Sequence, residues 1–449
     1  MANPSVMPIR FIAEGGLDGA GLDARQLAWA SANGFSGQRG KLLAMPDEQT
    51  GLGFWLFGAG PAEAHSPFIA GQAAAALPEG TYTLEGEYGD PTLAAIAFRL
   101  GAYRFDRYRE VRPSATLILP PGADEDEVER QVEAASLARD LINTPANDLG
   151  PDALETAAHD FARRNGMDIR VTVGDDLLNA NFPMIHAVGR ASTQAPRLIE
   201  LSWGNPENPK VTLVGKGVTF DTGGLDIKSA AGMLMMKKDM GGAANVLGLA
   251  HTIVSAGLPI RLRVLLPVVE NSIAGSSFRP GDVLRSRAGL TVEIGNTDAE
   301  GRLILADALA LADEESPDLL IDMATLTGAA RVALGPDLPP LYSTDLALAG
   351  RLAELGAAVE DPLWPMPLWS NYDSQLSSKI ADINNTGSGG YAGSVTAALF
   401  LRRFVRKAGT WLHLDIFGWA PEARPGRTVG ATDQGIRALY ALIRERYRA

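Results

Sequence analysis

The stretch VGKGVTFDTGGLDIKSAAGMLMMKKDMGGAA, residues 214–244, joins a predicted strand to a predicted helix through a glycine-rich loop. An apolar run ends at Val214, and the glycines on both sides of Lys216 let the backbone pack closely around that side chain. At the far end of the stretch, a helical pattern begins at Met240. A buried strand that leads into a helix is typical of α/β proteins, in which ligands bind beyond the carboxyl ends of the strands.

Strand-like and helix-like runs continue to alternate beyond this stretch. Alternation of this kind predicts an α/β fold whose central sheet is mainly parallel or mixed and is flanked by helices. The predicted strands are 211–214, 261–269, 290–294 and 319–323, and the predicted helices are 240–256, 303–315 and 394–405.

The N-terminal part of the chain has a different character. It is rich in alanine and glycine, contains short apolar segments and has no cluster of potential ligands. Residues 124–142 begin with acidic residues and then show helical spacing of apolar residues, and the helix is expected to end before Pro145. We therefore predict a smaller N-terminal α/β domain with a connecting helix in residues 1–145, followed by a catalytic domain in residues 146–449.

The overall composition is that of an ordinary soluble globular protein. Of the 449 residues, 46% are hydrophobic and 21% are charged, and the formal net charge is -13. This acidic balance argues against a general nucleic-acid or anionic-membrane surface. The absence of cysteine excludes disulfides, thiolate metal sites and cysteine nucleophiles. The opening MANPSVMPIRFIAEGG does not resemble a signal peptide, and no apolar run is long enough to span a bilayer, so we expect a cytoplasmic protein.

Four polar residues of the 214–244 stretch are candidates for chemistry. Lys216 follows the predicted strand, Asp221 precedes Thr-Gly-Gly, Lys228 follows shortly afterwards, and Asp239 stands directly before the helix. Taken singly, each is more often an ordinary surface or capping residue. For Asp239 in particular, a helix N-cap is an equally good interpretation.

A second group of candidates lies in GNTDAEGRL, residues 295–303. Asp298 and Glu300 are two positions apart, so in an extended segment both carboxylates would project to the same side. Arg302 places a guanidinium beside them, and the segment leads directly into an apolar helix. Taken alone, the segment is more simply interpreted as a loop with acidic residues at the start of a helix.

The two segments together predict a site for two divalent cations. Four carboxylates at strand ends would repel one another unless cations joined them, and oxygen-rich ligands suit zinc, manganese or magnesium. Lys228 and Arg302 would then remain as positive charge, which is useful where a reaction develops an anion. Lys216 could be a ligand only as a neutral amine, which would require its pKa to fall.

These motifs resemble those of the leucyl aminopeptidase (cytosol aminopeptidase) family. The motif NTDAEGRL, with VGKGVTFDTGG and KKDMGGAA upstream of it, carries the resemblance. It extends from ARDLINTPANDLGP, beginning at about Ala138, through DMATLTGA and IADINNTGSGG to LHLDI. The N-terminal portion is only weakly similar to the family.

The resemblance implies a role for each of the five candidate ligands. Lys216, Asp221, Asp239, Asp298 and Glu300 would hold two metal ions, with Asp221 and Glu300 shared between them. Asp239 and Lys216 would belong to the tighter site, and Asp298 to the exchangeable one. The ions would be zinc or manganese, with magnesium or cobalt as further candidates.

The resemblance also implies the catalytic and substrate-binding residues. Lys228 and Arg302 would be catalytic, with a bicarbonate ion on Arg302 acting as general base. The positions at which the family contacts substrate are Met236, Thr325, Leu326 and Gly328. Met236 stands in an apolar run and is also readily explained as a packing residue.

The activity implied by the resemblance is that of a metal-dependent aminopeptidase. It would remove leucine-like and other N-terminal residues from short peptides by means of a water activated by two metal ions. The family also implies a homohexamer with active sites facing an inner cavity. No membrane partner is expected, and nucleic acid is an unlikely partner given the acidic net charge.

Other classes of function remain as alternatives. A two-metal phosphoesterase would use the same donor set, and a DNA-binding or architectural role, in addition to catalysis or instead of it, is a non-enzymatic alternative. A dinucleotide-binding loop at GSGGYA, residues 387–392, is disfavoured because no good strand precedes it and no acidic residue follows at the required distance. The five histidines are scattered and form no HExxH pair, and we interpret His413 as a buried strand residue.

Overall fold

The computed structural model describes residues 6–47, 51–111 and 114–448. The chain forms two compact units, one made of Met1–Ser136 with Ala420–Gly430 and the other of Leu137–Trp419 with Ala431–Ala449. Part of the sequence used to argue against a signal peptide, residues 1–5, lies outside the described residues. Within the described ranges, no helix has both the length and the apolar character that crossing a membrane requires.

The elements follow one another with short connections. The helices are α1 (Ala24–Ala32), α2 (Ile69–Ala76), α3 (Pro91–Ala102), α4 (Glu125–Asn143), α5 (Pro151–Asn165), α6 (Asp176–Asn179), α7 (Pro183–Gly189), α8 (Ala230–Met233), α9 (Gly241–Ser255), α10 (Glu300–Glu314), α11 (Gly328–Leu334), α12 (Leu346–Ala358), α13 (Gly393–Arg402) and α14 (Ile436–Tyr447). Short 3-10 helices lie at Leu17–Gly19, Ala62–Ala64, Met236–Met240 and Ser370–Leu376.

Strands occur in both units. The strands are β1 (Met7–Ala13), β2 (Leu42–Met45), β3 (Phe54–Gly60), β4 (Gly80–Gly86), β5 (Ala115–Leu117), β6 (Asp168–Val173), β7 (Arg197–Trp203), β8 (Lys210–Gly215), β9 (Gly217–Asp221), β10 (Arg261–Asn271), β11 (Val283–Arg285), β12 (Thr291–Glu293), β13 (Leu319–Ala324), β14 (Pro340–Ser343), β15 (Trp364–Pro365), β16 (Ile383–Asn384), β17 (Thr410–Asp415), β18 (Trp419–Ala420) and β19 (Gly430–Ala431).

The first unit is a small α/β structure around a five-stranded sheet of order β2-β3-β1-β4-β5. The sheet is parallel except for β2, which pairs antiparallel with β3. Helices α2 and α3 carry alanine-rich apolar faces, and their side chains form one buried cluster with those of β1 and β4. This unit confirms the predicted smaller N-terminal α/β part of the fold.

The second unit is built on a nine-stranded mixed sheet in the described part of the chain. Its order is β15-β14-β17-β13-β8-β10-β7-β6, with β9 pairing with β10. The central strands β17, β13, β8 and β10 are mutually parallel, whereas β7, β6 and β14 pair antiparallel with their neighbours. Parallel central strands bring their carboxyl ends to one edge, so the loops after β8, β9 and β13 meet there.

Two helices connect this edge to the core. Helix α10 is buried along most of its length, and Leu303, Ile304 and Leu305 belong to the main apolar cluster. Helix α9 begins against the end of β8, where the amide of Ala243 donates a hydrogen bond to the carbonyl of Lys216 at 2.9 Å. A Cβ at Gly242 would lie 2.1 Å from the carbonyl oxygen of Met323, so only glycine permits this approach.

The elements predicted from the alternating pattern are confirmed, with one difference in placement. The predicted strand 290–294 is present as β12, but it belongs to a separate sheet of order β11-β12-β16 and not to the central sheet. The apolar pattern correctly indicated an extended segment, but it contains no information about which partner the strand pairs with. The predicted domain boundary near Pro145 lies just after α4, and the division between the two units falls inside that helix, at Ser136 and Leu137.

Candidate active site

A cavity of about 110 Å³ lies beyond the carboxyl ends of β8, β9 and β13. Ten of the eleven residues singled out from the sequence line it, and the eleventh, Arg302, does not. The lining residues are Lys216, Asp221, Lys228, Met236, Lys238, Asp239, Asp298, Glu300, Thr325, Leu326, Thr327, Gly328 and Arg331.

Three of the four predicted carboxylates converge tightly. One oxygen each from Asp221, Asp298 and Glu300 lies within 4.8 Å of the other two. Asp221 ends β9, and Glu300 is the first residue of α10. The extended segment expected at Asp298 is wrong, because this residue lies in a turn. The turn nevertheless brings Asp298 and Glu300 to one side, since the helix begins immediately after it.

Lys216 connects the fourth carboxylate to this group. Its Nζ lies 2.7 Å from Oδ2 of Asp239 and 2.9 Å from Oε1 of Glu300, and it donates a hydrogen bond to the carbonyl of Thr325 at 3.0 Å. A Cβ at Gly301 would lie 2.5 Å from Cε of Lys216. The glycine that follows Glu300 therefore makes room for the lysine.

Lys228 bridges two carboxylates from the other side of the cavity. Its Nζ lies 2.8 Å from Oδ2 of Asp221 and 2.5 Å from Oδ1 of Asp298. Unlike Lys216, which is almost completely buried, its side chain remains 15% exposed. Lys228 is thus a positive charge that borders the cavity and that an incoming substrate can approach.

The interpretation of Asp239 as a helix N-cap is wrong. It lies in the 3-10 helix Met236–Met240, and α9 is preceded by Met240 without a side-chain capping bond. The carboxylate of Asp239 instead accepts a hydrogen bond from Oγ1 of Thr325 at 2.7 Å and contacts Lys216. Both contacts hold the carboxylate at the wall of the cavity.

Asp221 is held by a residue that the sequence interpretation missed. Nδ2 of Asn271 donates to its Oδ1 at 2.8 Å, and so does the amide of Gly223 at 2.9 Å. Asn271 ends β10, which pairs with β9 at this point. A polar residue at the end of a long apolar run was the available signal, but only the strand pairing shows which carboxylate it contacts.

Crowding of like charges is evident in the pKa values of the acidic groups. Burial and the neighbouring carboxylate of Asp221 raise the pKa of Glu300 to about 8 and that of Asp298 to about 6. Burial alone would lower the pKa of Lys216 and of Lys228, but the surrounding carboxylates raise both above the ordinary value for lysine. The two ammonium groups thus neutralise the carboxylates only in part.

The donor set fits divalent cations. Oδ2 of Asp239, Oδ1 of Asp298 and Oε1 of Glu300 are buried and make no hydrogen bond of good geometry to any described residue, although each lies within 3 Å of a lysine Nζ. Buried carboxylate oxygens without hydrogen bonds are costly unless a cation compensates them. Carboxylate oxygens around a small cavity are the ligands that manganese and magnesium favour, and zinc also accepts them.

Arg302 lies on α10 next to this cluster and outside the cavity lining. Its Nη1 donates to the carbonyl of Asn385 at 2.6 Å, whereas its buried Nε has no hydrogen-bond partner among the described residues. Burial lowers the pKa of Arg302 to about 10, against the effect of Glu300 and Asp415, so the side chain stays positively charged at neutral pH. An unpaired buried N–H on a cation is suited to a small anion.

Three lining residues were not predicted: Lys238, Thr327 and Arg331. Lys238 is almost completely buried, and burial lowers its pKa to about 8. The pattern KKD beside a candidate ligand was the available signal, but the 3-10 helix of the structure was needed to show that Lys238 is the lysine that lines the cavity. Among the histidines, His413 is confirmed as a buried strand residue, with Nδ1 lying 2.6 Å from Asp322.

An α/β fold that gathers four carboxylates and two lysines around a small cavity, with carboxylate oxygens that could hold cations, fits a metal-dependent hydrolase. Comparison with protein-family models gives the family. Residues 136–440 match the catalytic domain of the cytosol aminopeptidase family, and residues 7–120 match the N-terminal domain of M17 aminopeptidases. The chain belongs to the cytosol aminopeptidase family, whose members are metalloexopeptidases.

Individual relatives agree with this assignment. The crystal structure of cytosol aminopeptidase from Coxiella burnetii is similar with a TM-score of 0.94 and 44% identity, over 100% of this chain and 99% of that one. The structure of the bottromycin maturation enzyme BotP in complex with Mn is similar with a TM-score of 0.89 and 32% identity, over 99% of this chain and 100% of that one. A probable cytosol aminopeptidase from Chlorobium limicola is 43% identical over 69% of this chain, a match that spans 62% of that protein's length.

Proposed function

We propose that this protein is a metal-dependent aminopeptidase that removes leucine-like and other N-terminal residues from short peptides. The observation that carries the proposal is the cluster of Asp221, Asp239, Asp298 and Glu300 around a cavity, with Lys216 between two of them. Membership of the cytosol aminopeptidase family supports it, as does the presence of Mn in the related BotP structure.

The ligands proposed for two divalent ions are Lys216, Asp221, Asp239, Asp298 and Glu300, with Asp221 and Glu300 shared. Zinc or manganese is the expected ion, and magnesium or cobalt could replace it. When bound, such ions supply the Lewis acidity that activates water and polarises the scissile carbonyl. The chain holds these groups on a strand end, a 3-10 helix and the start of a helix, so their positions are fixed before substrate arrives.

Two cationic side chains are proposed as catalytic residues. Lys228 borders the cavity and stabilises the negative charge that develops on the carbonyl oxygen. Arg302, through its unpaired Nε, is proposed to hold a bicarbonate ion, which would supply the general base for proton transfer. Both side chains are anchored, Lys228 by the carboxylates of Asp221 and Asp298 and Arg302 by the backbone carbonyl of Asn385.

The substrate's first residue is proposed to lie against Met236, Thr325, Leu326 and Gly328. All four line the same cavity as the carboxylates. The Met236 side chain is almost completely buried in the wall and offers an adaptable apolar surface. Because one methylene changes binding by only about 1–3 kcal/mol, such a wall favours leucine-like residues without restricting the enzyme to them.

Removal of bound metal with a chelator is expected to abolish hydrolysis of a leucyl anilide. Addition of manganese or zinc should restore this activity. The N-acetylated anilide should survive under the same conditions, because the blocked amine cannot be recognised at the site. A phosphate monoester serves as the control for phosphoesterase activity. Cleavage of the phosphate ester with no cleavage of any unblocked anilide or dipeptide would contradict the proposal.

We also propose that the protein is a homohexamer in the cytoplasm, as the family resemblance implies and as the name cytosol aminopeptidase suggests for its relatives. Several large apolar side chains are strongly exposed in one chain, with Leu234 at 82%, Tyr391 at 87% and Val332 at 90%. Exposed apolar side chains of this size are typical of surfaces covered by a partner. Light scattering is expected to give about six times the mass of one chain, whereas a monomer would contradict the hexamer.

A further inference from the structure

A buried lysine without a carboxylate partner in hydrogen-bond contact lies in the cavity wall. Lys238 is only 1% exposed and lines the cavity, and the nearest carboxylate oxygen, Oδ1 of Asp239, is 4.0 Å from its Nζ. The two other lysines of the cavity, Lys216 and Lys228, each contact two carboxylates within 3 Å. The ammonium of Lys238 therefore remains available to an incoming anion.

A second cation stands beside Lys238 on the same wall. The Nζ of Lys238 lies 5.0 Å from the ring centre of Phe417, and the Cζ of Arg331 lies 4.5 Å from it. Arg331 also lines the cavity, and its Nη2 comes within 3.5 Å of the place that a Cβ on Gly328 would occupy. Because residue 328 has no side chain, nothing at that position separates the guanidinium from the cavity.

The position of this pair relative to the carboxylates limits what it can bind. The cavity is small, about 110 Å³, and the acidic cluster and the Lys238–Arg331 pair are parts of one lining. If the substrate's terminal amine and first carbonyl lie at the acidic cluster, the side chain of the first residue starts within the same cavity and can reach the pair. Ammonium and guanidinium groups at low exposure bind carboxylates through charge-assisted hydrogen bonds.

We propose that Lys238 and Arg331 form a subsite for the side-chain carboxylate of an acidic first residue, aspartate or glutamate. This inference rests on the proposed aminopeptidase function and adds a substrate class to it. The apolar side chain of Met236, which also lines the cavity, would pack on the methylene groups of the same side chain. Leucine-like residues are thus accepted as well, but an acidic residue gains contacts that its neutral isostere lacks.

The test compares glutamyl and glutaminyl p-nitroanilides, which differ only in the charge of the side chain. Neither carries a C-terminal carboxylate, so any preference must come from the first residue. With wild-type protein and a single added metal, kcat/KM is expected to be about tenfold higher for the glutamyl substrate. In Lys238→Met, which keeps a side chain of similar length, the ratio should fall several-fold toward one, with Arg331 supplying any preference that remains.

The neighbouring lysine provides a matched control. Lys237 does not line the cavity, and its Nζ donates to the carbonyl of Asn143 at 2.6 Å. Lys237→Met removes the same charge one residue away, so its ratio of glutamyl to glutaminyl kcat/KM should equal that of wild type. Arg331→Gln is the second variant and should also lower the ratio of glutamyl to glutaminyl kcat/KM. If Lys238→Met does not fold, the ratio measured for Arg331→Gln decides whether the acidic subsite exists.

The possible results separate this inference from the function on which it rests. If a leucyl anilide is hydrolysed but the glutaminyl substrate is cleaved as well as the glutamyl one, the acidic subsite is wrong and the aminopeptidase function stands. If Lys238→Met folds and keeps the wild-type ratio, Lys238 is a packing residue on Phe417 and the subsite is wrong. If no anilide is hydrolysed with any metal, both proposals fail.

Discussion

Glu300→Ala is expected to lower kcat/KM for a leucyl anilide by at least about 1,000-fold while leaving the chain folded. Glu300 contributes one oxygen to the convergent group with Asp221 and Asp298, and its Oε1 is also close to Lys216. Its removal takes away a proposed shared ligand, so both metal positions lose affinity at once. The same substitution is expected to leave the protein folded, because it removes one carboxyl group from a crowded cluster in which burial and the carboxylate of Asp221 already raise the pKa of Glu300.

Metal content after dialysis and steady-state kinetics would measure this effect, with thermal unfolding as the check on folding. Glu314→Ala is a matched control, because Glu314 ends the same helix and pairs with Arg287 at the surface, about half exposed. The control should keep wild-type kinetics and metal content. Wild-type turnover in purified Glu300→Ala would show that the acidic cluster is not the catalytic site.

The parts of this site that could be predicted from the sequence are those that depend on the local pattern of residues. Glycine-flanked Lys216 after an apolar strand, and the Asp298–Glu300 pair before an apolar helix, both follow from local pattern. The prediction that the two segments meet rested on the rule that parallel strands present their carboxyl ends at one edge of the sheet. The segments do meet, but Asp298 and Glu300 follow β12, a strand of a separate sheet, so this rule does not explain their position. The family resemblance then assigned a role to each position, which spacing alone could not do.

The parts that were not predictable depend on contacts between distant segments. Asn271 reaches Asp221 only because β10 pairs with β9, and the sequence does not give that register. Arg331 and Lys238 meet at the ring of Phe417, a residue from a third segment of the chain. Similarly, β12 was recognised as extended but assigned to the wrong sheet, because β-pairing depends on which partner strand is near and not on the strand's own residues.

Lys228→Met is expected to lower kcat for a leucyl anilide about 100- to 1,000-fold with little change in KM. The ammonium of Lys228 borders the cavity and is held by Asp221 and Asp298. On the proposed mechanism it would face the carbonyl oxygen of the substrate as negative charge develops there. An interaction that strengthens only as this charge develops lowers the barrier without contributing equally to substrate binding, which is why the loss should appear in kcat.

The metal content of this variant distinguishes it from Glu300→Ala and is the decisive measurement. Removing the ammonium of Lys228 leaves Asp221 and Asp298 with less compensating charge, so they should bind divalent cations at least as tightly as before. Lys379→Met, a change at an exposed lysine, serves as the control. Full metal content with a low kcat would support a catalytic ammonium. Loss of metal from Lys228→Met, with activity restored by excess manganese, would instead show that Lys228 only organises the ligands.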